Sequence, residues 1–461
     1  MSLCDNRRGM TWARLETAAV ARALSAIAAE PGDLAEVYFE RRVDAEWPAD
    51  EARCGLSVRR EEGLAVRLVR GNHAWLASRD QITGVDLVDA LRQVARAQPS
   101  ALIEPELVMG PPPAVPVTSL HAFSGELERA IRRHHVAFPL RLAVRWHRRD
   151  LQVVGPRWVP ATEREVFYSL DVELPWGRFG ALATGLAAAE AEQVARALVG
   201  RFRAREAAPP PHGRCPLLLA PGATAVMLHE AVAHALEADL FARGGEGGWA
   251  DLARRCERFA SGLDVLDDPR RAPRGVERTT DDEGQSVVRR WLIRDGRVDQ
   301  PIADADHAAR SEDLLPGSGF RGDRHQSPLP RTHHLELLPG DADPQRLLRV
   351  ADGGLFVPEF DHGALDPATG DVVLHAPYGR FLRDGLLAEA CGPFELRCSV
   401  TELLARVVAV GVDVQTAGAG WCAKGGQRRA VWATTPSLVL AGVEIAGQSG
   451  SPIAGGDRGE R

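Results

Sequence analysis

Residues 228–239 read Leu-His-Glu-Ala-Val-Ala-His-Ala-Leu-Glu-Ala-Asp, so the imidazoles of His229 and His234 bracket the carboxylate of Glu230 within an apolar run. Imidazoles hold divalent metals, and a carboxylate beside a metal-activated water takes its proton. That is the arrangement a zinc peptidase needs. The spacing departs from the familiar H-E-x-x-H. Histidines at i and i+5 stand about 140° apart around an ideal α-helix. Sharing one metal therefore requires local unwinding, most simply one π-type turn closed by an i→i+5 hydrogen bond. A catalytic zinc takes three protein ligands and keeps one position open. Glu237, three residues after His234, is one candidate for the third ligand; Cys422, in the glycine-rich stretch 418–427, is the other.

The remaining polar clusters point less clearly to chemistry. His325, His333 and His334 surround Pro328-Leu329-Pro330-Arg331 and read as a surface loop. The run Asp281-Asp282-Glu283-Gly284 reads as an acidic turn, because the alternating oxygen ligands of a calcium loop are missing. Lys424 is the only lysine among 56 basic residues, and it lies two positions after Cys422.

Composition bounds the class. The chain has 461 residues, 45% of them hydrophobic, and a net charge of −7. This length favours two domains. The negative balance excludes nucleic-acid binding through a broad basic surface, so clusters such as Arg132–His135 and 145–149 read as solvated faces. No apolar run reaches membrane-spanning length. The N-terminal residues carry no apolar stretch of the kind a secretory leader needs. Seven widely spaced cysteines (4, 54, 215, 256, 391, 398 and 422) do not form a disulfide framework and fit a reducing, cytoplasmic setting.

The elements that must position these residues follow from periodicity. Helical spacing marks residues 13–29, 85–97, 126–134 and 187–203. Alternation marks strands at 35–39, 55–59, 64–70, 74–77, 140–146, 151–154 and 165–174. The proline run 209–211 marks a domain boundary. Beyond it a strand at 215–220 feeds a helix over 224–241, which carries the histidines. Strands and turns follow, with short helices at 344–351 and 400–405. The expected fold class is α+β: an N-terminal sheet-and-helix domain over residues 1–208, then a mostly antiparallel β domain over 209–461 that carries the metal-binding helix.

These motifs resemble one family. Residues 228–239 are similar to the H-E-A-x-G-H-x-x-E-x-D signature of the TldD subunit of TldD/PmbA proteins, which has the same three-residue gap. Residues 35–42 resemble that family's first strand and 63–80 its G-x-A-x-R segment. Residues 281–284 and 326–331 fall in similar segments, in the same order, and 422–427 resembles C-G-K-x-G-Q. Ala233 and Ala423 replace glycines usual in those motifs. Thr332-His333-His334 stands where a run of Met, Thr and Asn is typical, which implies an altered substrate choice.

The resemblance implies a cytoplasmic zinc peptidase acting on unfolded or precursor peptides, with Zn2+ on His229, His234 and Cys422 and with Glu230 as general base. Glu237 and Lys424 then stand behind the ligands. It further implies a dimer, either with a second copy or with a PmbA/TldE-type subunit. The rival expectation is a non-catalytic, metal-bound regulatory partner of a peptidase or topoisomerase complex, which an intact Glu230 disfavours.

Overall fold

The computed structural model describes residues 17–48, 55–95, 113–134, 141–156, 160–175, 177–241, 259–260 and 262–447. Cys4, Cys54, Cys256, His135 and the beginning of the chain lie outside the described residues.

The first sheet is antiparallel throughout. Its strands are β1 (Leu34–Pro48), β2 (Ser57–Arg70), β3 (His73–Arg79), β4 (Arg141–Val154), β5 (Ala161–Leu174) and β6 (Gly177–Ala183). In space they run β3-β2-β1-β4-β5-β6. The amphipathic helices α1 (Thr17–Ile27) and α2 (Gly84–Ala95) bury Leu24, Leu87 and Leu91 against Val37, Leu64 and Val66. In the same way α3 (Val117–Arg133) and α4 (Ala188–Ala204) bury Leu120, Phe123 and Leu198 against Leu142, Val144 and Leu170.

The strands outrun the hydrophobic alternation that marks them. The expected pair at 55–59 and 64–70 is the single strand β2, and residues 141–146 and 151–154 belong to the single strand β4. Charged residues stay in these ladders because they find carboxylate partners, some across the strand and some two residues along it. Arg41 stands opposite Glu62 and donates to it at 3.3 Å, and Arg42 stands opposite Glu61. Such cross-strand pairs stabilise a sheet although they break its apolar pattern.

After residue 209 the chain builds two large sheets and a small two-stranded one. It enters through β7 (Gly213–Leu219), α5 (Pro221–Leu228) and α6 (Ala238–Phe241), then β8 (Val265–Asp267), β9 (Arg290–Arg294) and β10 (Arg297–Val298). Next come α7 (Ala305–Ala309), the paired β11 (Gly319–Phe320) and β12 (Leu329–Pro330), β13 (His334–Leu337) and α8 (Pro344–Val350). There follow β14 (Leu355–Val357), β15 (His362–Asp366), β16 (Asp371–Ala376), β17 (Gly379–Arg383), β18 (Leu386–Cys391) and β19 (Phe394–Ser399). Last are α9 (Val400–Ala405), β20 (Val407–Val410), β21 (Gln415–Lys424), β22 (Gln427–Thr435) and β23 (Leu438–Gly447).

One sheet has the order β10-β9-β8-β13-β22-β21, which leaves β21 at an edge. The larger runs β15-β16-β19-β23-β7-β14-β17-β18, with β20 on β23. Only the pairs β13/β22 and β7/β14 are parallel among the described strands, so the fold is α+β with mostly antiparallel sheets.

Two readings of polar runs need correction. Asp281, Asp282 and Glu283 do form a turn, closed by the Gly284 N–H on the Asp281 carbonyl, but all three are fully buried. Asp282 accepts from Arg278 at 2.8 Å, Arg429 at 3.1 Å and Arg149 at 3.2 Å, and Glu283 pairs with Arg67. Arg149, in a run expected to be solvated, is therefore a buried ion-pair partner that ties the first sheet to the later loops. His333 and His334 are likewise buried rather than on a loop surface. His333 stacks on Phe320 and its Nε2 lies 2.6 Å from the Val276 carbonyl; His334 Nε2 lies 2.9 Å from the Thr434 hydroxyl. Burial pushes the two imidazoles down to about 3 and about 4. His325 is exposed, with Nδ1 2.9 Å from Ser78 Oγ. Among the described residues no helix is long and apolar enough to cross a membrane.

Candidate metal centre

Pro221 opens α5, where its missing N–H costs nothing. The helix is apolar on all sides, as a fully buried helix must be. Ala225, Leu228, Val232 and Leu236 lie in one core with Leu219, Leu292, Leu374 and Phe394. The helix expected over 224–241 is not continuous. At His229–Ala233 it widens into a π-turn, and the His234 N–H donates to the His229 carbonyl, an i→i+5 bond. A tight 3-10 turn follows over His234–Leu236, and Glu237 then turns extended (φ −71°, ψ 127°). The extension lets Ile302 N–H reach the Leu236 carbonyl at 2.7 Å and Ala238 N–H reach Ile302 at 2.8 Å.

The wide turn swings the two imidazoles together, with ring centroids 4.5 Å apart and planes at 65°. Cys422, on β21, comes to the same point from a distant part of the chain. One ligand-capable atom from each of His229, His234 and Cys422 lies within 4.8 Å of the others. Cys422 Sγ is 3.4 Å from His234 Nε2. His229 is only 5% exposed, yet neither ring nitrogen has a hydrogen-bond partner among the described residues. A buried imidazole with both nitrogens idle is costly unless something else binds it.

Burial works against charge on both Cys422 and His234, but their neighbours outweigh it. The two imidazoles hold the Cys422 thiol well below its usual range, and Glu237 with Cys422 raises His234 well above its own. A thiolate is thus favoured where a metal would want one.

Glu237 does not approach the three ligand atoms from their side. Its Oε2 lies 2.8 Å from His234 Nδ1, the nitrogen turned away from Cys422. Burial opposes its charge, but His234 and Lys424 lower its pKa overall. Lys424 Nζ lies 2.9 Å from Glu237 Oε2, 2.6 Å from Asp239 Oδ1 and 2.8 Å from the Pro330 carbonyl. The lone lysine therefore supports the imidazole–carboxylate pair.

The cation on the sulfur is instead Arg331, whose Nη2 donates to Cys422 Sγ at 3.1 Å and to the Cys422 carbonyl at 2.9 Å. Neither Arg331 nor Asp239 stands out as a site residue by spacing, although Asp239 matches the last position of the family signature. Pro330-Arg331 is marked only by family resemblance, and no local spacing links it to Cys422. Gly363 is equally silent: a Cβ there would come within 2.5 Å of Glu230 Cγ, so the glycine allows Glu230 to lie against β15.

Known proteins are similar to this chain in sequence and fold. A family model described as the PmbA/TldA metallopeptidase C-terminal domain matches residues 212–447. The chain is 30% identical over 226 residues to a "Metalloprotease" of Methanothermobacter thermautotrophicus, covering 49% of this chain and 48% of that one. It is 27% identical over 239 residues to a "Metalloprotease TldD homolog" of Buchnera aphidicola, covering 51% and 49%. The matched region thus spans about half the length of these curated relatives. The fold is similar to that of TldE from Thermococcus kodakarensis, with a TM-score of 0.67, 18% identity, and 93% of this chain and 100% of that one covered. Because the family model accounts for just over half of the 461 residues, the π-turn and β21 included, the chain belongs to the TldD/PmbA metallopeptidase family.

Proposed function

We propose that the chain is a zinc-dependent peptidase in which His229, His234 and Cys422 hold the metal and Glu230 is the general base. The observation that carries this reading is the π-turn, which brings two histidines at i and i+5 to one thiol. The residues fit the ion: two imidazoles and a thiolate are a usual zinc donor set, and both His229 nitrogens are otherwise idle. Zinc held there would acidify a water molecule and polarise a peptide carbonyl.

Glu230, adjacent to His229 and set against Gly363, accepts a proton from the attacking water at its carboxylate and releases it to the leaving amine. Glu237 fixes His234 by its Nδ1, so that Nε2 faces the metal position. The edge of β21 offers an extended peptide a strand to pair with. The reading also includes the division at 208/209, a cytoplasmic setting, and a dimer with a second copy or a TldE-type subunit.

The test is Glu230→Ala in the purified chain, with zinc content and peptide hydrolysis measured on the same sample. The variant should hold zinc at the wild-type stoichiometry and lose about 10²-fold or more in rate. Wild-type hydrolysis without Glu230, or a wild-type chain that binds zinc and cleaves nothing with or without its partner subunit, would sink the proposal.

A further inference from the structure

Between the first sheet and the β21/β22 hairpin lies a cavity of about 80 Å3, beside a wider one of about 430 Å3. Arg42, Asp44, His147, Trp421 and Arg428 line both. The wall of the smaller cavity carries five arginines against two carboxylates, Asp44 and Glu165. Both carboxylates are already engaged. Asp44 meets His147 Nδ1 at 2.7 Å, while Glu165 takes Arg278 at 3.1 Å, Arg429 at 3.0 Å and Arg149 at 3.3 Å.

Most of the arginines have partners behind the wall as well. Arg42 meets Glu40 at 3.2 Å, and Arg148 meets Asp150 at 2.8 Å. Arg428 differs. Its guanidinium lies over the Trp421 ring, 4.4 Å from the centroid, and it makes no ion pair among the described residues. Asp171, whose charge reaches Arg428, is held by Arg145. One cation is therefore left facing the cavity, oriented by an aromatic ring and ready to accept an anion.

Its position relates it to the metal centre. Trp421 precedes Cys422, and successive side chains leave a strand on opposite faces. Arg428 stands opposite Ala423 across the hairpin and shares the Trp421 face, while Cys422 faces the histidines. A peptide paired along β21 would send alternate side chains to these two faces. A residue next to the one lying over the His–Cys cluster would then reach Arg428.

We propose that this cavity is a subsite for a carboxylate, supplied by an acidic side chain or by the C-terminus of a peptide laid along β21. The carrier of the carboxylate rests on the peptidase reading above; the anion site rests on the Arg428 geometry. Calorimetric binding to the zinc-loaded Glu230→Gln chain separates the two, because it needs no turnover. Three synthetic peptides of one sequence serve as probes: glutamate beside the central residue with an amidated C-terminus, glutamine there with a free C-terminus, and glutamine with an amidated C-terminus.

At least one carboxylate peptide should bind about tenfold or more tightly than the neutral one. In Arg428→Gln that preference should collapse to near unity, and Arg428→Lys should retain part of it. Which peptide is preferred identifies the source of the carboxylate. A preference undiminished in Arg428→Gln, or equal binding of all three peptides to the Glu230→Gln chain, overturns the subsite. Failure of all three to bind overturns it too. Tight, Arg428-dependent binding by a chain whose wild type hydrolyses nothing would overturn only the peptidase reading. Zinc content and thermal unfolding of each variant check that its fold is intact.

Discussion

Replacing Lys424 by methionine tests whether the site depends on charge standing behind the ligands. The lysine side chain is only 9% exposed, and its ammonium serves Glu237, Asp239 and the Pro330 carbonyl at 2.9, 2.6 and 2.8 Å. Methionine fills most of the volume but supplies no donor. Glu237, fully buried, already has one oxygen without a hydrogen-bond partner among the described residues. Without Lys424 its other oxygen would depend on His234 alone.

Removing one member of a buried ion pair costs about 3–5 kcal/mol. The lower end applies here, because Asp239 is partly exposed and can rehydrate. About 3 kcal/mol corresponds to a fall in melting temperature of roughly 6 °C or more for a unit of this size. Loosening the partner of a ligand imidazole should also weaken zinc about 10–100-fold. The assay is calorimetric unfolding of the metal-free protein together with zinc competition against a chelator. Lys424→Arg should fall between the two, because a planar fork cannot bring one nitrogen to three converging acceptors. The reasoning is refuted if Lys424→Met melts within about 1 °C of wild type and binds zinc within about twofold of it, the two criteria being set well inside the changes expected above.

Cys422→Ser should lose most of its bound zinc, whereas Glu237→Gln should keep a full equivalent with weaker affinity; the reverse order by atomic absorption after dialysis would exchange their roles. Gly363→Ala places a Cβ 2.5 Å from Glu230 Cγ and 2.7 Å from Leu374 Cδ2, so hydrolysis should fall about 10²-fold while zinc content stays constant. Asp267 is pushed from 3.8 up to about 6 by burial, against hydrogen bonds from Thr332 and the His333 and His334 amides. Its raised pKa contributes stability that is fully present below about pH 4 and is lost as pH rises through 6. Asp267→Asn should therefore gain on wild type by up to about 3 kcal/mol between pH 4 and pH 8 in denaturant titrations, and an unchanged difference would contradict it.

What could be read from the sequence, and what could not, divides along one physical line. The π-turn was legible because its demand is local: two histidines five apart can share a metal only if the helix widens, and the His234–His229 hydrogen bond does that. The covered faces of α2 and α4 were legible for the same reason, since an apolar stripe at helical spacing needs a sheet to bury it, whereas α3 begins at Val117, ahead of the 126–134 segment that periodicity marks. Features stabilised by partners far along the chain were hidden. Asp281–Glu283 and Arg149 look like solvent-facing charge until the arginines of β2, β4 and β22 arrive beside them. His333 reads as loop until Phe320 and Val276 close over it. The candidate metal centre obeys the same division. Its histidines lie on one turn of chain and declare themselves, Cys422 stands as one of two candidates until the family resemblance marks it, and Arg331 and Gly363 are brought in unannounced by separate strands and loops. Glu237 shows why spacing alone misleads. At i+3 it is well placed to touch His234, and it does so at the nitrogen away from Cys422, where a carboxylate can orient the ring. Spacing leaves both uses of that carboxylate open, and its contact with Nδ1 depends on where separate strands and turns set His234, Lys424 and Cys422.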